Sequence, residues 1–227
     1  MFLKLQKGAI LIADAHYPNH KEKEFLQLLH SIDNQTIKTK QLIFMGDIFD
    51  LLVGGSLYLQ KRFEKERLLI NSIADKIEVI YLEGNHDFYL RPLFSKKVDI
   101  IPIENQPLKL IYNNRTYSLS HGDKFAQDNK YRLYTKLIRM PIILKILPDI
   151  IAVKKLKSMQ HKKICKEIQD FNSLVPKIIK NYNSDYIIEG HYHQAKQIGN
   201  YFALPSFACS TEIALFNGEE LKYITPF

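Results

Sequence analysis

The 227-residue sequence predicts an α/β fold that carries a helical insertion. Short apolar runs end abruptly in polar or charged residues, which is typical of buried strands that deliver side chains at their carboxyl ends. These runs cover residues 9–13, 42–45, 77–82 and 187–188. Helical patterns fill the gaps, at about 21–32 and 58–74. The segment 125–182 breaks this rhythm with mostly helical patterning, so we expect one domain, 1–227, with a lid-like insertion at about 125–182.

The C-terminal part of the chain, residues 195–223, has the pattern of several short strands. Two dipeptides, Asn113-Asn114 and Asn217-Gly218, stand between strand-like stretches. Residues of this kind adopt the left-handed conformations that tight hairpin turns require. Both positions are therefore predicted to be β-hairpin turns.

Five short motifs place metal-binding side chains at or near the predicted strand ends. They are Asp14-x-His16, Gly46-Asp47, Gly84-Asn85-His86-Asp87, His121-Gly122-Asp123 and Gly190-His191-x-His193. Each motif alone is weak evidence, since a lone Asp-x-His or Gly-Asp is more often a cap or a turn. Together they supply carboxylates, imidazoles and one amide oxygen, which suit Mn²⁺, Fe²⁺, Zn²⁺ or Mg²⁺. A pair of such cations needs a bridging carboxylate to offset their mutual repulsion.

The ordered set of motifs resembles the calcineurin-like metallophosphoesterase superfamily, whose pattern is DxH, GD, GNH(D/E), H and GHxH. The resemblance spans Asp14 to His193 and implies a β-sandwich flanked by helices. It also implies two divalent cations, with Mn²⁺ the expected metal. One cation would be bound by Asp14, His16 and His193, the other by Asn85, His121 and His191, with Asp47 as the bridge. His86 would be the catalytic histidine near the leaving group or the transferred phosphoryl group.

Within that superfamily, several blocks are similar to the UDP-2,3-diacylglucosamine hydrolases. These are Gly46-Asp47-Ile48-Phe49-Asp50, Asn85-His86-Asp87-Phe88-Tyr89-Leu90 and His121-Gly122-Asp123, followed by a basic and apolar helical lid. The resemblance implies cleavage of UDP-2,3-diacylglucosamine to UMP and 2,3-diacylglucosamine 1-phosphate in lipid A synthesis. It places the enzyme in the cytoplasm, peripherally on the inner membrane. The implied substrate contacts are Asn85, His86, Asp123, Asp128 and Tyr131.

The positive charge of the chain is concentrated in the insertion. The net charge is +8, yet residues 124–180 hold 14 Lys or Arg against 4 Asp or Glu. Dense apolar residues between 137 and 153 alternate with six basic ones: Lys136, Arg139, Lys145, Lys154, Lys155 and Lys157. A basic amphipathic element can bind an anionic bilayer and offer a slot for acyl chains. The alternative is a helical hairpin that packs on the domain and leaves its lysines in water.

Two departures from the hydrolase pattern leave other substrates open. His86 stands where those enzymes usually have arginine, and the chain contains no tryptophan. A phosphodiesterase or phosphatase for a soluble nucleotide or other phosphoester is therefore an alternative. A nuclease would need a continuous basic groove with stacking positions, which the apolar run argues against. A non-catalytic metal-binding scaffold is a further alternative, although such chains typically lose ligands that are present here.

Cys165 and Cys209 lie far apart in the sequence and outside any metal-binding spacing. We therefore expect two free thiols and a reducing compartment. The N-terminal apolar stretch is too short for a signal-peptide core and is predicted to be a strand. No run of about 18 apolar residues occurs, so we expect no transmembrane helix.

Overall fold

The strands form two main sheets. The computed structural model describes residues 3–126, Asp149 and residues 165–227. The strands in these ranges are β1 (Ala9–Ile12), β2 (Gln41–Phe44), β3 (Leu52–Val53), β4 (Glu78–Leu82), β5 (Asp87–Phe88), β6 (Val98–Ile101), β7 (Leu108–Tyr112), β8 (Arg115–Ser120), β9 (Tyr186–Glu189), β10 (Lys196–Ile198), β11 (Tyr201–Ala203), β12 (Ile213–Phe216) and β13 (Leu221–Ile224). The first sheet has the order β13-β12-β1-β2-β4-β6, and the second has the order β10-β11-β9-β8-β7. Strands β3 and β5 form a small third sheet.

Parallel pairing dominates the centre of both sheets. In the first sheet β1, β2, β4 and β6 are mutually parallel, while β12 and β13 add antiparallel strands at one edge. In the second sheet β8, β9 and β11 are parallel, and β7 and β10 flank them in antiparallel pairing. Neighbouring parallel strands therefore end at the same edge of each sheet.

The two sheets pack face to face, and helices cover their outer faces. Strand side chains alternate between the faces, so Leu11, Ile43 and Ile80 join the core between the sheets, which also holds Leu119 and Ile188. Their neighbours in sequence, such as Leu42 and Val79, belong to a second core beneath the helices. A third core lies outside the second sheet. The predicted β-sandwich flanked by helices is thus confirmed.

Several short helices lie between the strands in the described part of the chain. They are α1 (Glu22–Asp33), α2 (Leu57–Arg62), α3 (Glu64–Ala74), α4 (Asp123–Ala126), α5 (Phe171–Ile179) and α6 (Phe207–Ser210), with 3₁₀ turns at Arg91–Leu93 and Ile103–Asn105. Helix α1 buries Phe25, Leu28, Leu29 and Ile32, the i, i+3, i+4, i+7 spacing of an amphipathic helix. In the described part of the chain, no helix has both the length and the apolar character of a membrane span.

Most predicted elements occur close to their expected bounds. Both hairpins are confirmed: β7 pairs antiparallel with β8, and β12 with β13. The single helix predicted at 58–74 is wrong, because the chain forms two helices, α2 and α3, that meet at Phe63. Phe63 leaves the helical conformation, with φ −105° and ψ 25°, and its ring packs 5.1 Å from that of Phe49 in the core.

The expectation of two free thiols is also wrong. Cys165 and Cys209 form a disulfide across a sequence separation of 44, with Cα atoms 5.6 Å apart. The fold brings α6 beside residue 165, a proximity that the spacing of the two cysteines does not encode. Residues 127–148 and 150–164, the centre of the predicted insertion, lie outside the described residues. At the position between them, the Asp149 carboxylate accepts hydrogen bonds from the Ser56 hydroxyl and the Tyr58 backbone N–H.

Candidate metal centre

Five loops that follow strands of the two sheets meet at one place. The loops after β1, β2 and β4 come from the first sheet and carry Asp14 and His16, Asp47, and Asn85 and His86. The loops after β8 and β9 come from the second sheet and carry His121, and His191 and His193. All five strands are parallel within their sheets, so their carboxyl ends converge. The seven residues predicted as ligands are thereby gathered from five separate parts of the chain.

Three of these residues form a first group. Ligand atoms of Asp14, His16 and His193 lie within 4.8 Å of one another. The Nε2 atom of His193 is 3.0 Å from Asp14 Oδ1, and the Nε2 atom of His16 is 4.0 Å from the same oxygen. Asp14 is fully buried, and its other oxygen accepts a hydrogen bond from the His191 backbone N–H at 2.9 Å. This bond links the first group to the loop that carries both histidines of the last motif.

A second group lies beside the first. Ligand atoms of Asp47, His121 and His191 also lie within 4.8 Å of one another. His121 Nε2 is 3.4 Å from Asp47 Oδ2 and 3.3 Å from Asn85 Oδ1. The Nδ1 atom of His121 is 2.9 Å from the Met45 carbonyl oxygen, to which it donates when Nδ1 is protonated, leaving Nε2 to face the carboxylate. His191 and His193 thus join different groups, although they are only two residues apart.

The backbone at this centre is strained. Asp14, His16, Asp47, His191 and His193 all have positive φ angles, between 44° and 61°. A left-handed conformation at a non-glycine residue costs on the order of 1–3 kcal/mol and persists only where the surroundings enforce it. Five such residues lie close together here. The surrounding structure must therefore enforce these backbone conformations, as it does at functional sites, where they orient the side chains.

Two glycines allow the loops to approach so closely. A Cβ atom at Gly84 would lie 2.1 Å from Asp47 Oδ1 and 2.5 Å from the Asp47 backbone nitrogen. A Cβ atom at Gly46, where φ is +91°, would lie 2.5 Å from His121 Nδ1. Real Cβ atoms do not approach other atoms this closely, so a side chain at either position would displace a residue of the centre.

Asp87 joins two of the loops, and the sequence analysis did not identify this role. Its buried carboxylate accepts hydrogen bonds from the backbone N–H groups of Asp47, Ile48, Phe49 and Gly84 and from the Tyr81 hydroxyl, at 2.6–3.2 Å. These bonds fix the loop after β2 against the loop after β4. Asp87 is the last residue of the Gly84-Asn85-His86-Asp87 motif. Its position next to the site residues was the feature of the sequence that could have indicated this role.

His86 is held by Asp50, a second residue that the sequence analysis missed as a site residue. The Nδ1 atom of His86 lies 2.7 Å from the Asp50 carbonyl oxygen and 3.6 Å from its carboxylate, while Nε2 lies 3.9 Å from Asp47 Oδ2. The same Asp50 carboxylate is 3.5 Å from His16 Nδ1. Burial lowers the pKa of His86, but Asp47 and Asp50 outweigh it and raise the pKa to about 9. These two carboxylates therefore favour the protonated ring when the centre holds no metal.

The centre fits divalent cations by a buried nitrogen that lacks a hydrogen-bond partner and by its donor set. His16 Nε2 is buried and has no hydrogen-bond partner among the described residues, although a metal ion would satisfy it. Burial raises the pKa of Asp47, but the neighbouring His121 and His86 outweigh this effect and hold it well below its usual value. An ionised buried carboxylate surrounded by imidazoles is a metal-binding arrangement for a borderline or hard cation. Two adjacent groups of this kind can hold two ions.

The predicted substrate contacts fall in two classes. Asp123 is buried at the start of α4, and its charge acts to raise the pKa of both His121 and His191, so it lies close to the second group. Asn85 and His86 border the centre. Asp128 and Tyr131 lie outside the described residues.

The sequence is similar to a known protein family and to several known enzymes. The family described as Calcineurin-like phosphoesterase matches residues 9–195. The chain is 27% identical to the UDP-2,3-diacylglucosamine hydrolase of Photorhabdus laumondii over 196 residues, 82% of this chain and 81% of the relative. It is 24% identical to the enzyme of the same name from Blochmanniella floridana, over 82% and 79% of the two chains. A third, from Wigglesworthia glossinidia brevipalpis, is 22% identical over 83% and 80%.

Proposed function

Because this chain belongs to the calcineurin-like phosphoesterase family and is a metal-dependent phosphoester hydrolase, we propose that its substrate is an acylated UDP-sugar. The substrate would be UDP-2,3-diacylglucosamine. Attack of water on the α-phosphorus would break the pyrophosphate and release UMP and 2,3-diacylglucosamine 1-phosphate. This reaction belongs to lipid A synthesis.

The main support is the extent of the match to the UDP-2,3-diacylglucosamine hydrolases. It covers 82% of the chain, and the span from Asp14 to His193 holds all seven proposed ligands. The proposed assignment is Asp14, His16 and His193 for one cation and Asn85, His121 and His191 for the other, with Asp47 shared. The two groups of side chains described above agree with this division. Mn²⁺ is the proposed metal, since the mixed oxygen and nitrogen ligands suit it.

Three residues beside the proposed metal ligands then have defined roles. Two divalent cations, when bound, supply Lewis-acid chemistry to phosphoryl transfer. His86 presents Nε2 to the centre, where it can donate a hydrogen bond to a phosphoryl oxygen or a proton to the leaving oxygen. Asp50 holds Nδ1 and favours the protonated ring. Asp87 keeps the loop of Asp47 in register with the loop of Asn85.

The charge distribution supports a membrane-surface location. Residues 124–180 carry a net charge of +10, whereas the rest of the chain is slightly acidic. Each basic residue near an anionic surface adds about 1 kcal/mol of attraction. We propose that the enzyme works in the cytoplasm, peripherally on the inner membrane, where a diacylated substrate would be embedded.

Product analysis tests the proposal. The protein is incubated with Mn²⁺ and three compounds: UDP-2,3-diacylglucosamine, the deacylated UDP-sugar and an aryl phosphodiester. The expected result is UMP and the acylated sugar 1-phosphate from the first compound, with far slower turnover of the second. Equal turnover of the acylated and deacylated sugars would reject the lipid substrate and leave a metallophosphoesterase with another substrate.

A phosphodiesterase for a soluble nucleotide is the second candidate. It is favoured by His86, which stands where the UDP-2,3-diacylglucosamine hydrolases usually have arginine, and by the absence of tryptophan. This candidate predicts rapid cleavage of the aryl phosphodiester without detergent and without any acyl chain. The same three-substrate assay therefore distinguishes the two functions.

A further inference from the structure

The disulfide between Cys165 and Cys209 joins two parts of the chain that border the metal centre. Cys165 begins the segment 165–170, here called the return segment, which leads into α5. Cys209 lies in the single-turn helix α6. Cys165 is exposed and Cys209 is partly exposed, so the bridge is accessible to reagents in solution.

Helix α6 supports the loop that carries Asp14. The Phe207 N–H donates to the Ala13 carbonyl oxygen at 3.0 Å, and the Ala208 N–H donates to the Asp14 carbonyl oxygen at 3.2 Å. The hydroxyl of Ser206 donates to the same Asp14 oxygen at 2.8 Å. Since Asp14 has a strained φ of 51°, these three bonds help to hold it in position. Cys209 follows them directly in the chain.

The return segment contacts the loop that carries His193. The side chain of Gln194 accepts a hydrogen bond from the Ile168 N–H at 3.1 Å and donates to the Lys166 carbonyl oxygen at 3.2 Å. A cavity of about 300 Å³ lies at this junction. It is lined by Cys165, Lys166, Glu167, His193, Gln194, Lys196 and Cys209. One wall of a cavity that reaches His193 is thus made by the return segment and the disulfide.

We propose that Cys165 and Cys209 are a reversible modification site, opened by small thiols and closed by small disulfides, whose state sets the position of the return segment beside His193. Opening consumes two thiol molecules: the Cys165–Cys209 bond breaks, each cysteine sulfur gains one electron and one proton, and the two reagent thiols become one disulfide. Closing is the reverse reaction with a small-molecule disulfide as oxidant.

Two observations support reversibility. Thiol exchange requires an accessible sulfur, and the exposed Cys165 provides one. Lys166, Glu167 and Lys196 line the same cavity, and Lys196 pairs with Glu167 at 3.5 Å. The group therefore keeps a net positive charge, which stabilises the cysteine thiolate that leaves when the bridge opens. In a reducing compartment, a disulfide of this kind would be redox-sensing and not permanent.

The open state has a specific structural consequence. Without the covalent bond to α6, the return segment keeps noncovalent contacts such as the hydrogen bonds of Gln194 and the ion pair between Lys196 and Glu167. We expect amide hydrogen exchange at Ile168, whose N–H donates to Gln194, to become at least about 10-fold faster, because this bond breaks more often once the segment loses its covalent tie. We also expect Mn²⁺ affinity to fall, by about 10-fold or less, because α6 loses its link beside Asp14. Exchange in β1 and β2 should be unchanged.

The experiment uses the full chain loaded with Mn²⁺. Intact mass after alkylation counts free thiols before and after incubation with a small dithiol, and hydrogen exchange and Mn²⁺ affinity are measured in both states. The protein is first treated with oxidised glutathione to close the bridge. The expected result is then no alkylation before reduction, two alkyl groups after it, and the changes in exchange and affinity described above. Treatment with oxidised glutathione should restore the starting state.

Variants supply the control. Cys165→Ser with Cys209→Ser should resemble the reduced wild type and should not respond to the dithiol, which corrects for any removal of metal by the reagent. Two alkyl groups on protein already treated with oxidised glutathione would overturn the proposal, because the bridge would then not close. Identical exchange at Ile168 and identical Mn²⁺ affinity in oxidised and reduced wild type would overturn it as well. The wild-type comparison remains decisive if the double variant does not fold.

Discussion

His86 Nδ1 lies 2.7 Å from the carbonyl oxygen of Asp50 and 3.6 Å from its carboxylate. This relationship fixes the ring so that Nε2 faces the centre. It also joins two loops, since Asp50 lies in the loop after β2 and His86 lies in the loop after β4. Because Asp50 is also 3.5 Å from His16 Nδ1, one carboxylate orients both a proposed ligand and the proposed catalytic histidine.

Replacing Asp50 by Asn should lower the pKa of His86. In chelated, metal-free protein the pKa of His86 is raised from 6.5 to about 9. The stabilisation from protonated His86 is therefore complete below pH 6.5 and lost as the pH rises through 9. Histidine NMR titration of wild type and Asp50→Asn measures the change. We also expect Asp50→Asn to reduce activity or metal affinity by about 10–100-fold. An unchanged His86 titration would contradict the role given to Asp50.

The roles of Asp47 and His86 should separate in metal analysis. Asp47→Ala should lose metal and activity together, because Asp47 is proposed to bridge two cations and offset their mutual repulsion. His86→Ala should keep most of its metal and lose about 10²–10⁴-fold in rate. Elemental analysis and turnover of an aryl phosphodiester measure both effects. If His86→Ala bound as little metal as Asp47→Ala, His86 would be a ligand.

Chelation should abolish activity, and Mn²⁺ should restore it. The proposed mechanism needs two cations, and the buried carboxylates and imidazoles of this centre are their proposed ligands. A chelator that removes the cations should therefore stop the reaction. Elemental analysis after gentle purification should approach two ions per chain. Full activity in a preparation shown to be metal-free would refute the metal-dependent mechanism.

Gly84→Ala should weaken Mn²⁺ binding, and this loss of affinity should exceed the loss seen in a glycine variant of similar stability outside the centre. The new Cβ would overlap the Asp47 carboxylate and backbone nitrogen, so Asp47, the proposed bridge, must move. Gly8→Ala is the control, since Gly8, like Gly84, lies within two residues of a strand of the first sheet, and a Cβ there meets no atom within 4 Å. Its positive φ of +85° should cost about 1 kcal/mol of stability without loss of metal. Mn²⁺ titration and thermal unfolding of both variants give the comparison.

The apolar run of the insertion should matter for acylated substrate alone. Replacing Ile142, Ile143 and Ile146 by Ser would remove the proposed acyl contacts, each worth about 0.8 kcal/mol per buried CH₂. Turnover of UDP-2,3-diacylglucosamine should fall while turnover of a small aryl phosphodiester is spared. Binding of the wild type to acidic liposomes should weaken steeply with salt. Equal damage to both substrates would show that the run is structural core.

The sequence by itself determined the order of strands and ligands. The continuous apolar runs at residues 9–13, 42–45 and 77–82 predicted buried strands, because a strand covered on both faces is apolar along most of its length. The polar residues that follow could only lie at strand ends. Local chemistry was therefore sufficient to predict β1, β2, β4 and both hairpins, while the resemblance to the superfamily selected the seven candidate ligands from the polar motifs.

The tertiary structure decided which ligands meet and what supports them. The division of His191 and His193 between two groups, the contact of Asp50 with His86, and the five donors to Asp87 all depend on loops from distant strands. The pairing of Cys165 with Cys209 is of the same kind. These contacts arise when two sheets pack face to face and bring residues from opposite ends of the chain together. No local pattern in the sequence records that packing.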